Sequence, residues 1–153
     1  MLLETLRVDY PAISFVSGSR FAWHPNQREV VYVARKMRAQ DDWSLLHELG
    51  HALQEHRDFE SDMQLLHMEV DAWQKATEIG KQYGVEIDQD HVQDCLDSYR
   101  DWLHARATCP TCLERCLQKD TRTYHCHNCQ TEWQVTKSRL CRAYRRTNQK
   151  NRI

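Results

Sequence analysis

Four cysteines constrain the fold of this 153-residue chain more than any other feature. Cys109-Pro110-Thr111-Cys112 and Cys126-His127-Asn128-Cys129 are two C-x-x-C steps separated by 13 residues, and six of the seven cysteines lie at or after Cys109. A segment of roughly 30–40 residues cannot bury enough apolar surface to fold alone. Four thiolates converging on one ion remove that difficulty, because a structural zinc contributes on the order of 10 kcal/mol to folding. The competing use of C-x-x-C, a redox dithiol, needs a thioredoxin-like βαβ frame that is missing. Thr121, Thr123 and Tyr124 before the second step, with Trp133 and Val135 after it, read as a β-hairpin. Residues 109–136 are therefore expected to form a zinc ribbon held by Cys109, Cys112, Cys126 and Cys129. Cys116, His125 and His127 compete as ligands, and Leu113 and Gln130 stand where glycines often follow such knuckles. Cys95 reads as a buried thiol, and Cys141 has no evident partner.

Charge divides the chain at the same place. Residues 1–108 carry 11 Lys/Arg against 19 Asp/Glu, a balance of −8, and residues 109–153 carry 10 against 3, a balance of +7. After Glu132 no acidic residue occurs, while Lys137, Arg139, Arg142, Arg145, Arg146, Lys150 and Arg152 accumulate. This basic tail, 137–153, is either solvated or, with the ribbon, a contact for nucleic-acid phosphates. A hydrophobic share of 41% with only four Gly and three Pro argues against disorder and low-complexity linkers. No apolar run approaches the roughly 18 residues that cross a bilayer, and the opening Met1-Leu2-Leu3-Glu4 meets an acid before a signal-peptide core can form. A cytoplasmic, non-membrane protein is expected.

Residues 1–108 read as one α+β domain. Three short β-branched and aromatic runs, Ile13–Val16, Phe21–Trp23 and Val30–Val33, are separated by turn-rich Ser17-Gly18-Ser19 and His24-Pro25-Asn26-Gln27. They predict a small, mostly antiparallel sheet. Asp41 and Asp42 offer N-caps to a helix with Leu45, Leu46, Leu49, Ala52 and Leu53 at helical spacing. Ser61-x-x-Gln64 opens a second helix that closes near Lys81, Tyr83 and Gly84, and Asp90-x-x-Gln93 opens a third that runs to about Arg106.

The first of these helices carries His47-Glu48-Leu49-Gly50-His51, an H-E-x-x-H pattern. Four residues advance a helix by about 400°, so both imidazoles emerge on one side, with Glu48 about 100° round. Leu45, Leu49, Ala52 and Leu53 fall between about 140° and 240° from His47, on the opposite face. A catalytic zinc takes three protein ligands and keeps one open position. His56 lies about 180° from His47 and cannot ligate while the helix continues. The extended H-E-x-x-H-x-x-G-x-x-H pattern fails, since Gln54 and Arg57 hold its last positions. Glu69 on the second helix is the better third ligand: Leu65, Leu66, Ala72, Trp73 and Ala76 all lie within about 60° of it, and a carboxylate in that stripe needs a cation. A partner Lys or Arg, or escape at a frayed edge of the stripe, are the plainer alternatives for Glu69. His67 points about 160° away, toward solvent.

His47-Glu48-Leu49-Gly50-His51 followed by Glu69-Val70-Asp71-Ala72 resembles the gluzincin metallopeptidases, especially the small single-domain forms and the ImmA/IrrE-type group. The resemblance covers roughly residues 12–83. It implies a zincin-like fold, with an edge strand above the zinc, and a zinc-dependent endopeptidase. His47, His51 and Glu69 would be the ligands and Glu48 the general base, taking a proton from zinc-activated water and returning it to the leaving amine. Asp71, about 200° round the helix from Glu69, would at most support the ligands from behind. Tyr83, His91, Tyr99 and His104 are equally eligible to steady the oxyanion. The run at 28–33 is suited to accept an extended substrate by strand addition, or is an ordinary interior strand. The order of protease domain, ribbon and basic end also resembles SprT-like proteases that act near DNA.

The sequence thus predicts a zincin-like α+β domain, 1–108, a zinc ribbon, 109–136, and a basic tail, with one catalytic and one structural zinc. The expected function is zinc-dependent hydrolysis of peptide bonds in an intracellular protein. Its competitors are a non-catalytic regulator or adaptor whose ribbon and tail bind nucleic acid, and a hydrolase of non-peptide amides.

Overall fold

Val30 and Val31 are adjacent in sequence and both buried, so the strand that carries them must be covered on both faces. The computed structural model, which describes residues 1–34 and 38–136 in full and the backbone alone of 145–147, gives that strand the central place in a three-stranded sheet. β1 (Ser14–Gly18), β2 (Ala22–His24) and β3 (Glu29–Val33) are ordered β1-β3-β2. β3 pairs antiparallel with β2, Trp23 opposite Val30, and parallel with β1, Phe15 opposite Val30. The sheet is therefore mixed, where the short turn-linked runs predict a mostly antiparallel one. The most apolar strand takes the centre and separates the two strands that precede it. Strand addition onto residues 28–33 is also excluded, because β3 is hydrogen-bonded along both sides; the edges are β1 and β2.

Four helices complete the described elements: α1 (Leu2–Asp9), α2 (Ala39–Leu53), α3 (Asp62–Gln82) and α4 (Gln89–Ala107). α1 carries no helix signal in the sequence. It is two turns long and fully buries only Leu6, too little to make an apolar stripe visible. Arg7 ties it to the sheet by donating to the Phe15 carbonyl at 3.2 Å and the Tyr32 hydroxyl at 3.3 Å. α2 starts three residues earlier than its acids suggest: Asp41 caps from within the first turn, accepting the Arg38 N–H at 2.9 Å. Ser61 caps α3 as expected, its hydroxyl accepting the Gln64 N–H at 3.1 Å. Gly84, at φ +67°, follows α3 in the left-handed region. None of the helices among the described residues is long and apolar enough to cross a membrane.

The chain divides into two compact units, Met1–Asp58 with His67–Gln93, and Phe59–Leu66 with Asp94–Ile153. In the first unit α2 packs on β2 and β3. Its core includes Phe15, Val30, Leu45, Leu49, Ala72, Trp73 and Ile79. In the second, Leu65, Tyr99, Trp102 and Leu103 form one cluster, and Cys109, Tyr124, Cys126, Trp133 and Val135 form another. The expected boundary at 108/109 runs through the interior of this unit, because Arg106 belongs to it as firmly as the ribbon does. The Arg106 carbonyl accepts the Trp133 indole N–H at 2.9 Å, and its guanidinium pairs with Asp62 at 2.9 and 3.2 Å and donates to the Thr136 carbonyl. Tyr124 O–H also donates to Asp62.

The ribbon hairpin is β4 (Thr123–His125) and β5 (Glu132–Val135), with Tyr124 opposite Trp133 and their rings stacked 5.5 Å apart. A third strand, β6 (Arg145–Thr147), pairs antiparallel with β5, Arg146 opposite Gln134. The expected tail therefore contributes backbone to the ribbon sheet, completing the open edge of β5. The rest of 137–153, Cys141 included, lies outside the described residues.

Candidate metal centres

Local helix geometry brings His47 and His51 together, and a close approach of two helices adds Glu69. A Cβ on Gly50 would lie 2.4 Å from the Ala72 carbonyl oxygen, so only glycine lets α2 and α3 come this near. Glu69 is one turn before Ala72 on α3, and the contact carries its carboxylate to the histidines. His47 Nε2 lies 3.1 Å from His51 Nε2 and 3.2 Å from Glu69 Oε2, and His51 Nε2 lies 3.6 Å from Glu69 Oε1. Tetrahedral ligands at zinc–nitrogen distances have edges of about 3.3 Å. The three groups could therefore hold a metal ion of about the size of zinc.

All three side chains are buried. His47 and His51 are each 8% exposed and Glu69 5%. Trp73 stacks on the His47 ring at 4.2 Å, and the buried His47 Nδ1 has no hydrogen-bond partner. Burial is the strongest influence on the Glu69 carboxyl and pushes its pKa up, but hydrogen bonds and charge from His47 and His51 outweigh it and hold the group at about 2. A carboxylate that stays ionised inside an apolar stripe is suited to ligate a cation. Glu48, next to His47, is half-buried and, among the described residues, enters no hydrogen bond or ion pair.

Four thiols form the second group. Cys109 Sγ lies 3.6 Å from Cys129 Sγ, Cys112 Sγ lies 3.4 Å from Cys126 Sγ, and all four sulfurs are within 4.8 Å of one another. A tetrahedral zinc–thiolate site has sulfur–sulfur edges of about 3.8 Å, so this cluster too accepts the ion with little movement. The Thr131 hydroxyl and N–H lower the Cys129 pKa to about 6, whereas at Cys112 the hydrogen bonds from the Glu114 backbone and Asn128 pull downward but are outweighed by burial and the Cys126 and Cys129 thiols together, which raise it to about 11. Four sulfurs this close cannot all carry charge without a cation among them.

Cys116, His125 and His127 are outside this group: Cys116 packs against the ribbon core, and the two histidine rings meet edge to face at 4.9 Å. Cys95 is half-buried, where the sequence predicts a buried thiol. Asp71 faces away from Glu69 into a shallow surface depression with Gln54, Gln74 and Glu78. Of the four residues proposed for an oxyanion role, Tyr83 instead donates to Asp9 at 2.7 Å and Tyr99 is in the second unit's core. His104 is exposed in the last turn of α4. His91 meets Trp73 and Trp43 at ring distances of 5.7 and 5.0 Å.

His56 is outside the ligand group, as expected, but it is not remote from it: α2 ends at Leu53, and the chain turns back to bring His56 against His51. The signal for this was a five-residue spacing at a helix end, masked by the absence of glycine at residue 55.

Comparison of the chain with protein-family models, curated proteins and solved structures finds no match.

Proposed function

We propose that the chain is a zinc-dependent endopeptidase of intracellular proteins, with His47, His51 and Glu69 as metal ligands and Glu48 as general base. The single observation that carries this reading is the grouping of His47, His51 and Glu69, whose ligand atoms approach one another at 3.1 to 3.6 Å, with Glu48 next to His47 forming no ion pair among the described residues. When bound, zinc supplies a Lewis acid that polarises a carbonyl and makes water acidic near neutral pH. Glu48 then accepts a proton from the attacking water and returns it to the departing amine. Trp73 stacks on His47, and Glu69 approaches both histidines, which would hold the ligand side chains in place. Cys109, Cys112, Cys126 and Cys129 would hold a second zinc whose role is to fold the ribbon.

A second reading, a closed metal site in a non-catalytic regulator, is favoured by the deep burial of all three ligand residues. The test compares wild type with Glu48→Gln on denatured casein, with autocleavage followed alongside and zinc counted per chain. An enzyme loses on the order of 100-fold or more in rate in Glu48→Gln while keeping both ions. Equal rates remove Glu48 from the mechanism. Silence in both, with a fourth protein ligand seen by X-ray absorption, selects the regulator.

A further inference from the structure

The end of α2 has a geometry that pairs residues five apart. His56 N–H donates to the His51 carbonyl at 3.0 Å, Glu55 N–H donates to the Ala52 carbonyl at 3.1 Å, and Glu55 is left-handed at φ +54°. These two bonds around one left-handed residue are those of a Schellman stop, in which the side chains corresponding to 51 and 56 normally make an apolar contact. Here the pair is two histidines. Their rings lie 5.0 Å apart and inclined at 70°, with Nδ1 to Nδ1 at 2.9 Å. The turn is anchored independently of the imidazole, since the His56 carbonyl accepts the Trp23 indole N–H from β2 at 2.8 Å.

We propose that His56 is a positioning residue for the metal site: its Nδ1 accepts the proton on His51 Nδ1, fixing the tautomer and ring rotation that aim His51 Nε2 at the ion. The inference rests on the metal-site reading above, and on one consequence of it. Nε2 of His51 faces His47 and Glu69, so it must be unprotonated to donate to a metal, and the ring proton then resides on Nδ1. The nearest group able to take that hydrogen bond is His56 Nδ1, with the His56 proton on its own Nε2. A hydrogen-bonded ligand histidine is held in place and made a better donor, and such supports are worth about 10- to 100-fold in metal affinity. His47 has no such support among the described residues, its Nδ1 being buried without a partner, so the site depends on His51 for orientation.

The test uses the full chain and zinc alone, titrated against a chelator with ions counted per chain, in wild type, His56→Phe and His56→Asn. Asn places its Oδ1 where His56 Nδ1 stands, and both variants keep the backbone bonds to His51 and Trp23. Wild type should release two ions in separate steps. His56→Phe should weaken one step by about 10- to 100-fold and leave the other, identified by Cys109→Ser, unchanged, and His56→Asn should recover most of the loss. Unchanged affinity in His56→Phe with two ions bound overturns the proposal, as does an equal loss in Phe and Asn variants, which marks a packing role. If wild type binds only the ion removed by Cys109→Ser, the metal-site reading and this proposal fall together. A wild type that binds two ions but cleaves no casein, with a fourth protein ligand on the ion held by the histidines, sinks only the hydrolase reading. Should His56→Phe fail to fold, the zinc-loaded wild type still decides: a nitrogen–nitrogen coupling across the bond between His51 Nδ1 and His56 Nδ1 is expected, and its absence refutes the bond.

Discussion

A single hydrogen atom at Gly50 decides whether two helices meet. Its missing Cβ leaves room for the Ala72 carbonyl, and Glu69 depends on that approach to reach His47 and His51. Gly50→Ala should therefore cost about 1–3 kcal/mol, the usual cost of overpacking, and, on the proposed metal-site reading, lower zinc affinity at His47, His51 and Glu69 while sparing the cysteine group. Thermal melting and zinc counting check both parts. The opposite effect is expected in the ribbon. Leu113 and Gln130 adopt φ +64° and +61° after their knuckles, a conformation that costs a side-chain-bearing residue roughly 1–2 kcal/mol. Leu113 is also 72% exposed, so its side chain contributes little packing in return. Leu113→Gly should raise ribbon stability by about 1 kcal/mol, read as a shift in the denaturant midpoint.

Elements in this protein begin and end through side chains that borrow backbone hydrogen bonds. Asp120 starts the ribbon hairpin by accepting the N–H groups of Arg122 and Thr123, each at 2.9 Å. The Arg122 N–H is the strongest influence on its carboxyl and, with Thr123 and Lys119, lowers the pKa below its ordinary 3.8. Because the folded value is the lower one, the stabilisation is fully present above 3.8 and is lost as pH falls through the folded value. Asp120→Asn removes part of this acid dependence: the stability gap between wild type and variant should narrow as pH is lowered from 5 toward 2, where unfolding of both is followed by circular dichroism. A gap that widened on acidification would contradict the assignment. The same kind of local bonding ends α2 at Leu53 and sends His56 back toward His51.

Across the molecule, the second unit is assembled around a buried ion pair. Asp62 at the start of α3 and Arg106 near the end of α4 are 4% and 1% exposed. Arg106 also lies over the Trp102 ring at 4.1 Å, and Tyr124 of the ribbon bonds to the same Asp62 carboxylate. Removing one partner strands the other charge without water. Asp62→Ala should cost about 3–5 kcal/mol, whereas Asp62→Leu with Arg106→Met should cost much less, since a well-packed apolar pair avoids the desolvation penalty altogether. Guanidinium unfolding monitored by circular dichroism and total tryptophan fluorescence distinguishes the two. Comparable losses in both would mean that packing volume, and not charge pairing, organises this unit.

Whatever depends on spacing within one element was legible in the chain. An i, i+4 step puts His47 and His51 on one side of a helix, two C-x-x-C steps turn thiols inward, and Ser61 marks a helix start, because covalent geometry and the helical period act over a few residues. The apolar stripe on α3 also singled out Glu69, a lone carboxylate among apolar residues, and the structure places it beside the two histidines. Tertiary structure decided the rest. Which strand takes the centre of the sheet, how closely α2 meets α3, and the reach of the second unit back to Asp62 and Arg106 depend on the shapes of surfaces formed by residues far apart in the chain. His56 falls between the two cases: its bond to His51 is local, but it requires a left-handed Glu55, and a glutamate does not announce that conformation as a glycine would.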